Sequence, residues 1–529
     1  MSAARRGRGR SRTDRRRLDP ASRRAAIVRA AVGVGALAAV VVPAVVDRHR
    51  AAPAAGAGDV GRRAAAVMPA LRPAALLGAT WFCPGVVANG LGGLVVLANA
   101  ADEPTRVTVT VTPSEGAPVV KPYEIGARSR LELEVSSFVN APFAAAQVET
   151  TSGALVVEQR SAAKLDDHVV YAVSPCANAP SQTWYLADGA TTTDADDTLL
   201  VYNPFPDDAT ISMVFADESG VRRPPSFQRQ PVPPRTLKVV PIDNVVQRKQ
   251  QVSVTVTADA GRVVVGRHQL YTMKPRRTLV AGLAAPAAGT QWLFADVELR
   301  AGEGAGSAAA GFAVYNPGDE AATVSVLLLP AAGAPGLATG PPDSSAAAAT
   351  ASTTTAPAAA AGVPIDVEVP AGASVLVPVP IGPTLPDGFY SAFVVATRPV
   401  VAERLQRRTA EFRVVTTVQL GSRLASRSWQ FAAPAPPGWT SVLVVANPSG
   451  GPATLTVRTL GPAGLLPLAA LTDVVVPAGG AARWDASAAG AGVSALSVTS
   501  DADVVVERLL VPPAADQPGS TISYGVPST

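Results

Sequence analysis

One pattern occurs four times along this chain, and it constrains the fold more than any other feature. Trp81, Trp184, Trp292 and Trp429 open the stretches "TWFCPG", "TWYLADG", "QWLFADV" and "SWQFAAP". Downstream of each, an apolar run ends at Asn99, Asn203, Asn316 or Asn447, and an alternating segment follows: "RVTVTVT", "ATISMVF", "ATVSVLL", "ATLTVRT". A Val-rich run comes next ("ALVVEQR", "RVVVGRH", "PVVAERL", "DVVVERL"), then a closing run that leads to the next Trp. Landmarks in the same order at similar spacing mark a repeat architecture.

The repeat is legible as β structure. Val107, Val109 and Val111 alternate with Thr108 and Thr110, a period of two that turns the valines to one face. The Asn-Pro pairs end the preceding strand, because Pro donates no hydrogen bond and Asn favours tight turns. Units of about 100 residues with about seven short strands predict immunoglobulin-like sandwiches. The expected fold is all-β: four tandem immunoglobulin-like antiparallel β-sandwich units at 80–179, 180–287, 288–424 and 425–529, after an N-terminal transmembrane helix. The third unit is lengthened by an Ala/Thr/Pro/Ser tract, 331–362, which has no strand or helix period and is read as a disordered insertion.

The N-terminus differs in kind. Residues 1–50 hold 13 of the 45 basic and three of the 41 acidic side chains, so the rest of the chain carries about −6. The high pI belongs to a disordered basic tail, 1–29, and a nucleic-acid footprint on the body is not expected. Ala30 to Val46 has no charge and spans about 25 Å as a helix, enough to cross a membrane. Arginines crowd its N-terminal side, which keeps the tail cytoplasmic and puts the body outside. A signal peptide cleaved near "AAPAAGAG" is the alternative. The charged Asp47-Arg48-His49-Arg50 interrupts that cleavage region and favours an uncleaved signal anchor. Residues 47–79 form an Ala/Pro-rich linker, expected to be a flexible stalk. Two cysteines, Cys83 and Cys176, suit a disulfide in an exported protein, with two buried free thiols as the other reading.

The landmarks resemble the repeats of secreted actinobacterial proteins of the DUF5719 family, whose domains read like "WYFAEG", "NP", "VVERPMY" and "GYGV" in order. The closest copy is "TWYLADGATTTDADDTLLVYNPFPDDATISMVF", with "VVVERLL" and "ISYGVPS" in the fourth unit. The first unit departs with Cys83-Pro84-Gly85 in place of the acidic turn, and the third has Val297 where Gly is expected. The resemblance implies export and an envelope location, and carries no catalytic residues.

Candidate sites are few. Asp194, Asp196 and Asp197 are weak calcium candidates, since the other units lack the cluster and solvated turn aspartates explain it. The three histidines, His49, His168 and His268, sit in no hydrolase or metal motif, so no catalytic residue and no cofactor is assigned. Glu158, Glu403 and Glu507 recur beside the Val-rich strands, but Gly266 replaces the carboxylate in the second unit, which suits structure better than paired acid–base chemistry. The four repeat tryptophans are expected in cores or between domains. Trp439 and Trp484 fall outside the pattern and are the better candidates for an exposed binding surface. The functional expectation is a single-pass cell-membrane protein with a non-enzymatic, structural or binding body. Its expected partners are the membrane through 30–46 and an envelope glycan or membrane protein. The alternatives are an envelope-glycan enzyme with an active site between units, or an accessory subunit of a membrane glycosyltransferase.

Overall fold

The alternating segments do form strands. A computed structural model describes residues 67–71, 78–151, 153–272, 277–302, 304–331, 362–410, 413–461, 464–488, 495–513 and 519–528. The basic tail, the expected membrane segment 30–46 and nearly all of the tract 331–362 lie outside the described residues. Among the described residues no helix is long and apolar enough to cross a membrane.

The first segment supplies eight strands: β1 (Ala79–Ala88), β2 (Leu94–Asn99), β3 (Thr105–Pro113), β4 (Val119–Ile125), β5 (Ser129–Glu134), β6 (Ala141–Thr150), β7 (Leu155–Leu165) and β8 (His168–Pro175). They build two antiparallel sheets, ordered β1-β6-β3-β4 and β5-β2-β7-β8. Val107, Val109 and Val111 of β3 point inward as the alternation requires, and meet Val95 and Leu97 of β2 and Val157 of β7 in one core. The same two orders recur in the second segment, where Thr183–Leu186 takes the place of β1 and Ala195–Asn203 that of β2. In the third and fourth segments the sixth and seventh strands fuse. Gly388–Ala410 and Ala495–Val511 each run through both sheets.

This order is not that of an immunoglobulin domain, whose first strand pairs with its second. Here β1 lies beside β6. The reason is the nearly continuous passage from the sixth to the seventh strand. It carries β7 onto the free edge of β2, and leaves the edge of β6 for β1.

The four asparagines lock this arrangement, and all are fully buried. Asn203 Nδ2 donates to the carbonyls of Asp207, Val232 and Pro233 at 2.8–3.1 Å, while its Oδ1 accepts from Phe205 N–H. Asn316 and Asn447 repeat the set on Glu320, Val369 and Pro370, and on Gly451, Val476 and Pro477. Asn99 does so on Glu103 and Gly126. Each side chain thus closes its own turn and also ties the end of the second strand to the end of the fourth, in the opposite sheet.

The four segments close on themselves. Ala433 N–H of the fourth donates to Glu158 of the first, and Val173 N–H of β8 donates to Thr521 Oγ1. The closing strands β8, Thr278–Leu283, Arg413–Leu420 and Thr521–Tyr524 converge on a hub cavity of about 40 Å³, room for ordered water and little more. A short strap, 67–71, packs just beyond the ends of three closing strands. Leu71 N–H donates to Pro527 O at 2.7 Å, Asn178 Nδ2 donates to Ala70 O, and Met68 Sδ accepts from Ser422 Oγ at 3.5 Å. Met68, Ala70 and Leu71 are buried, so a flexible stalk does not describe this part of the linker. Their apolar side chains fill the cleft where the ring closes.

Candidate functional site

Where two segments meet, the Val-rich strand does most of the joining. In a strand, successive side chains face opposite ways, so the Glu and Arg of "VVAERL" reach different neighbours. Glu403 faces the second segment, where its Oε2 accepts from Asp188 N–H at 3.0 Å. Arg404 faces the fourth and donates to Glu507 Oε2 at 2.8 Å. Glu507 in turn accepts from the N–H groups of Ala295 and Asp296 at 3.1 and 3.2 Å. Glu158 closes the series on Ala433 N–H at 2.6 Å, with Arg508 at 3.9 Å. Arg267 of the second segment reaches Glu403 at 3.3 Å. Three seams therefore share one design: a buried carboxylate takes the backbone N–H four residues after the neighbouring Trp, and the neighbour's buried Arg.

The seam between the first and second segments lacks the carboxylate and the arginine. In the Trp-proximal turn Pro84, which has no N–H, precedes Gly85, the fourth residue after Trp81. Gly266 stands where the Glu would be, and Gln159 where the Arg would be. A Cβ on Gly266 would lie 2.6 Å from Pro84 Cγ, so no side chain fits there. Gln159 turns back to Ser174 Oγ within its own segment at 3.1 Å. The join is apolar instead. Phe82, Ala145 and Ala177 enter the second segment's core, while Cys83 is bonded to Cys176 inside the first segment's own core. Phe143 meets His268 edge-on at 5.0 Å, and burial pushes the His268 imidazole down to about 4.

The ionic seams are not alike either. Between the third and fourth segments, Asp296, Glu298 and Glu507 face Arg404, Arg408 and Arg483, with Asp296 held by Arg408 at 2.7 Å and Arg483 at 2.6 Å. Burial alone would raise the Asp296 carboxyl, but Arg483, Arg408 and Arg404 outweigh it and hold it well below the usual carboxylate range. Burial raises Glu507 and Glu158 against the pull of Arg404 and Arg508. Between the second and third segments, Asp188, Asp197 and Glu403 share Arg267 alone. Asp188 and Asp197 are pushed up to about 7, by burial first, with Arg267 opposing and the Glu403 carboxylate adding repulsion. Asp188 Oδ2 and Asp197 Oδ1 have no hydrogen-bond partner among the described residues.

The acidic loop of the second repeat thus does not act as one group. Asp196 and Asp197 are successive on a strand, so Asp196 is exposed and Asp197 points inward, while Asp194 accepts from Thr192 Oγ1 at 2.7 Å. Among the described residues no three His, Cys, Asp or Glu are grouped to hold a metal ion. Trp81, Trp184, Trp292 and Trp429 are fully buried, and three of them donate to the carbonyl of Val263, Val400 or Val504. Trp439 is not an exposed platform: it is buried edge-on against Tyr171 at 5.7 Å, across the seam that closes the ring. Trp484 is half-buried on the fourth segment's core. Reading the repeats one by one missed Arg267, Arg404 and Arg508, and missed that Pro84, Gln159 and Gly266 depart together. The signal lay in comparing the "VVEQR" of one repeat with the "VVVGRH" of the next.

Residues 139–405 and 424–505, more than half of the chain, match the Family of unknown function (DUF5719). No curated protein matches the sequence. Among solved structures, the chain is similar to Thermotoga maritima 1070 at 14% identity, over 26% of this chain and 94% of that one, with a TM-score of 0.19. It is also similar to a tetra-tandem repeat in the extending region of a large adhesion protein, at 12% identity, over 85% of this chain and 100% of that one, with a TM-score of 0.11. At these scores neither likeness bears on the fold.

Proposed function

The chain belongs to the DUF5719 family, and from that premise we propose that it is a non-enzymatic envelope protein. A ring of four β-sandwich units is held outside the membrane by an anchor at 30–46 and presents its surface to an envelope glycan or protein. One observation carries this reading: the recurring carboxylates are engaged with the backbone or arginines of neighbouring segments, instead of converging in an open cleft. The Cys83–Cys176 disulfide suits an oxidising compartment outside the cytoplasm.

A second reading, an enzyme with its site between units, has Asp188 and Asp197 in its favour, because carboxylates raised toward neutrality often mark catalysis. Against it, the cavity bordered by Arg267 and Glu403 is only about 40 Å³, too small for a sugar unit. Crosslinking in intact cells, followed by identification of captured material, tests the proposal. Envelope glycan or envelope protein is expected, and capture of cytoplasmic proteins alone would overturn it.

A further inference from the structure

Equivalent positions in two segments differ, and the difference opens a groove. In the third segment, Leu293 N–H pairs with Ser422 O, and the next residue, Arg423, lays its guanidinium against bare Gly289. Any Cβ on Gly289 would overlap it, and it also lies over the Trp292 ring at 4.9 Å. In the second segment the same pairing joins Tyr185 and Ala285, but the next residue is Pro286, and Ser181 stands where Gly289 does. A groove of about 810 Å³ remains, bordered by Ser181, Gln182, Thr183, Tyr185 and Arg262, with Pro180, Pro286 and Pro399 as rigid walls.

We propose that this groove binds a polysaccharide chain of the envelope, with Tyr185 as its stacking surface and Arg262 selecting acidic units. The proposal rests on the envelope reading above and names its ligand. Hydroxyls, an amide, one ring and one guanidinium are what a sugar chain engages, and the volume lies in the range of ligand sites. A peptide adding as a strand is disfavoured, because the bordering backbone is already committed. Ser181 N–H donates to Val263 O, Tyr185 and Ala285 exchange both hydrogen bonds, and Thr183 N–H donates to Ser181 Oγ.

The test is sedimentation of the full-length protein in detergent with protease-stripped envelope polysaccharide. Arg262→Ala and Tyr185→Ala are each expected to weaken retention at least about 10-fold, as loss of one central contact does. Pro286→Arg combined with Ser181→Gly, which copies Arg423 on bare Gly289, is expected to do the same with an unchanged melting temperature. If Tyr185→Ala unfolds, Arg262→Ala and that double variant carry the test. Parent and variants retained alike would overturn the groove while sparing the envelope reading. So would no retention of the parent in a protein that still crosslinks to envelope partners, or retention that only a peptide competes away.

Discussion

The first and third seams join like segments with unlike chemistry. The third is ionic, with three carboxylates against three arginines. The first is apolar, with Pro84 against Gly266 and Phe82 in the neighbouring core. Each odd residue makes sense only with its partner. Pro84 packs where the neighbour's side chain would stand, which suits the bare Gly266, and a glutamine replaces an arginine that would have faced no acid. The sandwich repeats while its joints diverge, because the core is set by a period of two and the joints by single residues.

Four experiments press on this contrast. Removing one partner of a buried ion pair strands the other charge, so Glu507→Ala or Arg404→Ala should cost about 3–5 kcal/mol in urea unfolding at pH 7. A loss below about 1 kcal/mol would mean that the third seam is not held by its ions. Inside the first segment, Cys83→Ser with Cys176→Ser opens a link across 93 residues and should cost roughly 2–4 kcal/mol by the same measurement. An unchanged stability would show that the bond adds nothing to that segment's fold. The asparagines supply a contrast with no seam in it. Asn203→Ala, Asn316→Ala and Asn447→Ala should each cost about 1–3 kcal/mol, because each orphans the same carbonyls. Unequal losses would show that the repeats differ inside as well as between.

The smallest effect, on the order of 1–2 kcal/mol after allowance for coupling, is a pH dependence at the second seam. Asp188 and Asp197 are raised in the folded state, so their contribution is full below about pH 4 and fades as pH rises through about 7. His268 is depressed to about 4 and works the other way between about 4 and 6.5, one imidazole against two carboxylates. Asp296 at the third seam is depressed, so its contribution is lost as pH falls instead. Asp197→Asn should raise the melting temperature at pH 8 and flatten the fall between pH 5 and 8. An unchanged slope would remove Asp197 from the account.

The sandwich core was legible from residues alone: alternating valines, buried tryptophans and strand-ending asparagines leave a local periodic trace. Strand order was not. It depends on whether the sixth strand breaks before the seventh, and no local residue marks that choice. The seams were half legible. Glu158, Glu403 and Glu507 stand out as a series, but their partners lie one repeat away, and Arg404 and Arg508 beside two of them look like ordinary solvated charges. Trp439 stood outside the repeat and for that reason looked exposed, when it fills the last joint of the ring.

The strap 67–71 has a mechanical meaning. Its residues touch Asn178 after the first segment, Ser422 after the third and Pro527 at the end of the fourth. A pull on the strap is therefore shared among three segments, instead of peeling one from the others. Leu71 runs parallel to Ser528, so the chain that enters the strap and the chain that leaves the last strand lie at opposite ends of that pairing.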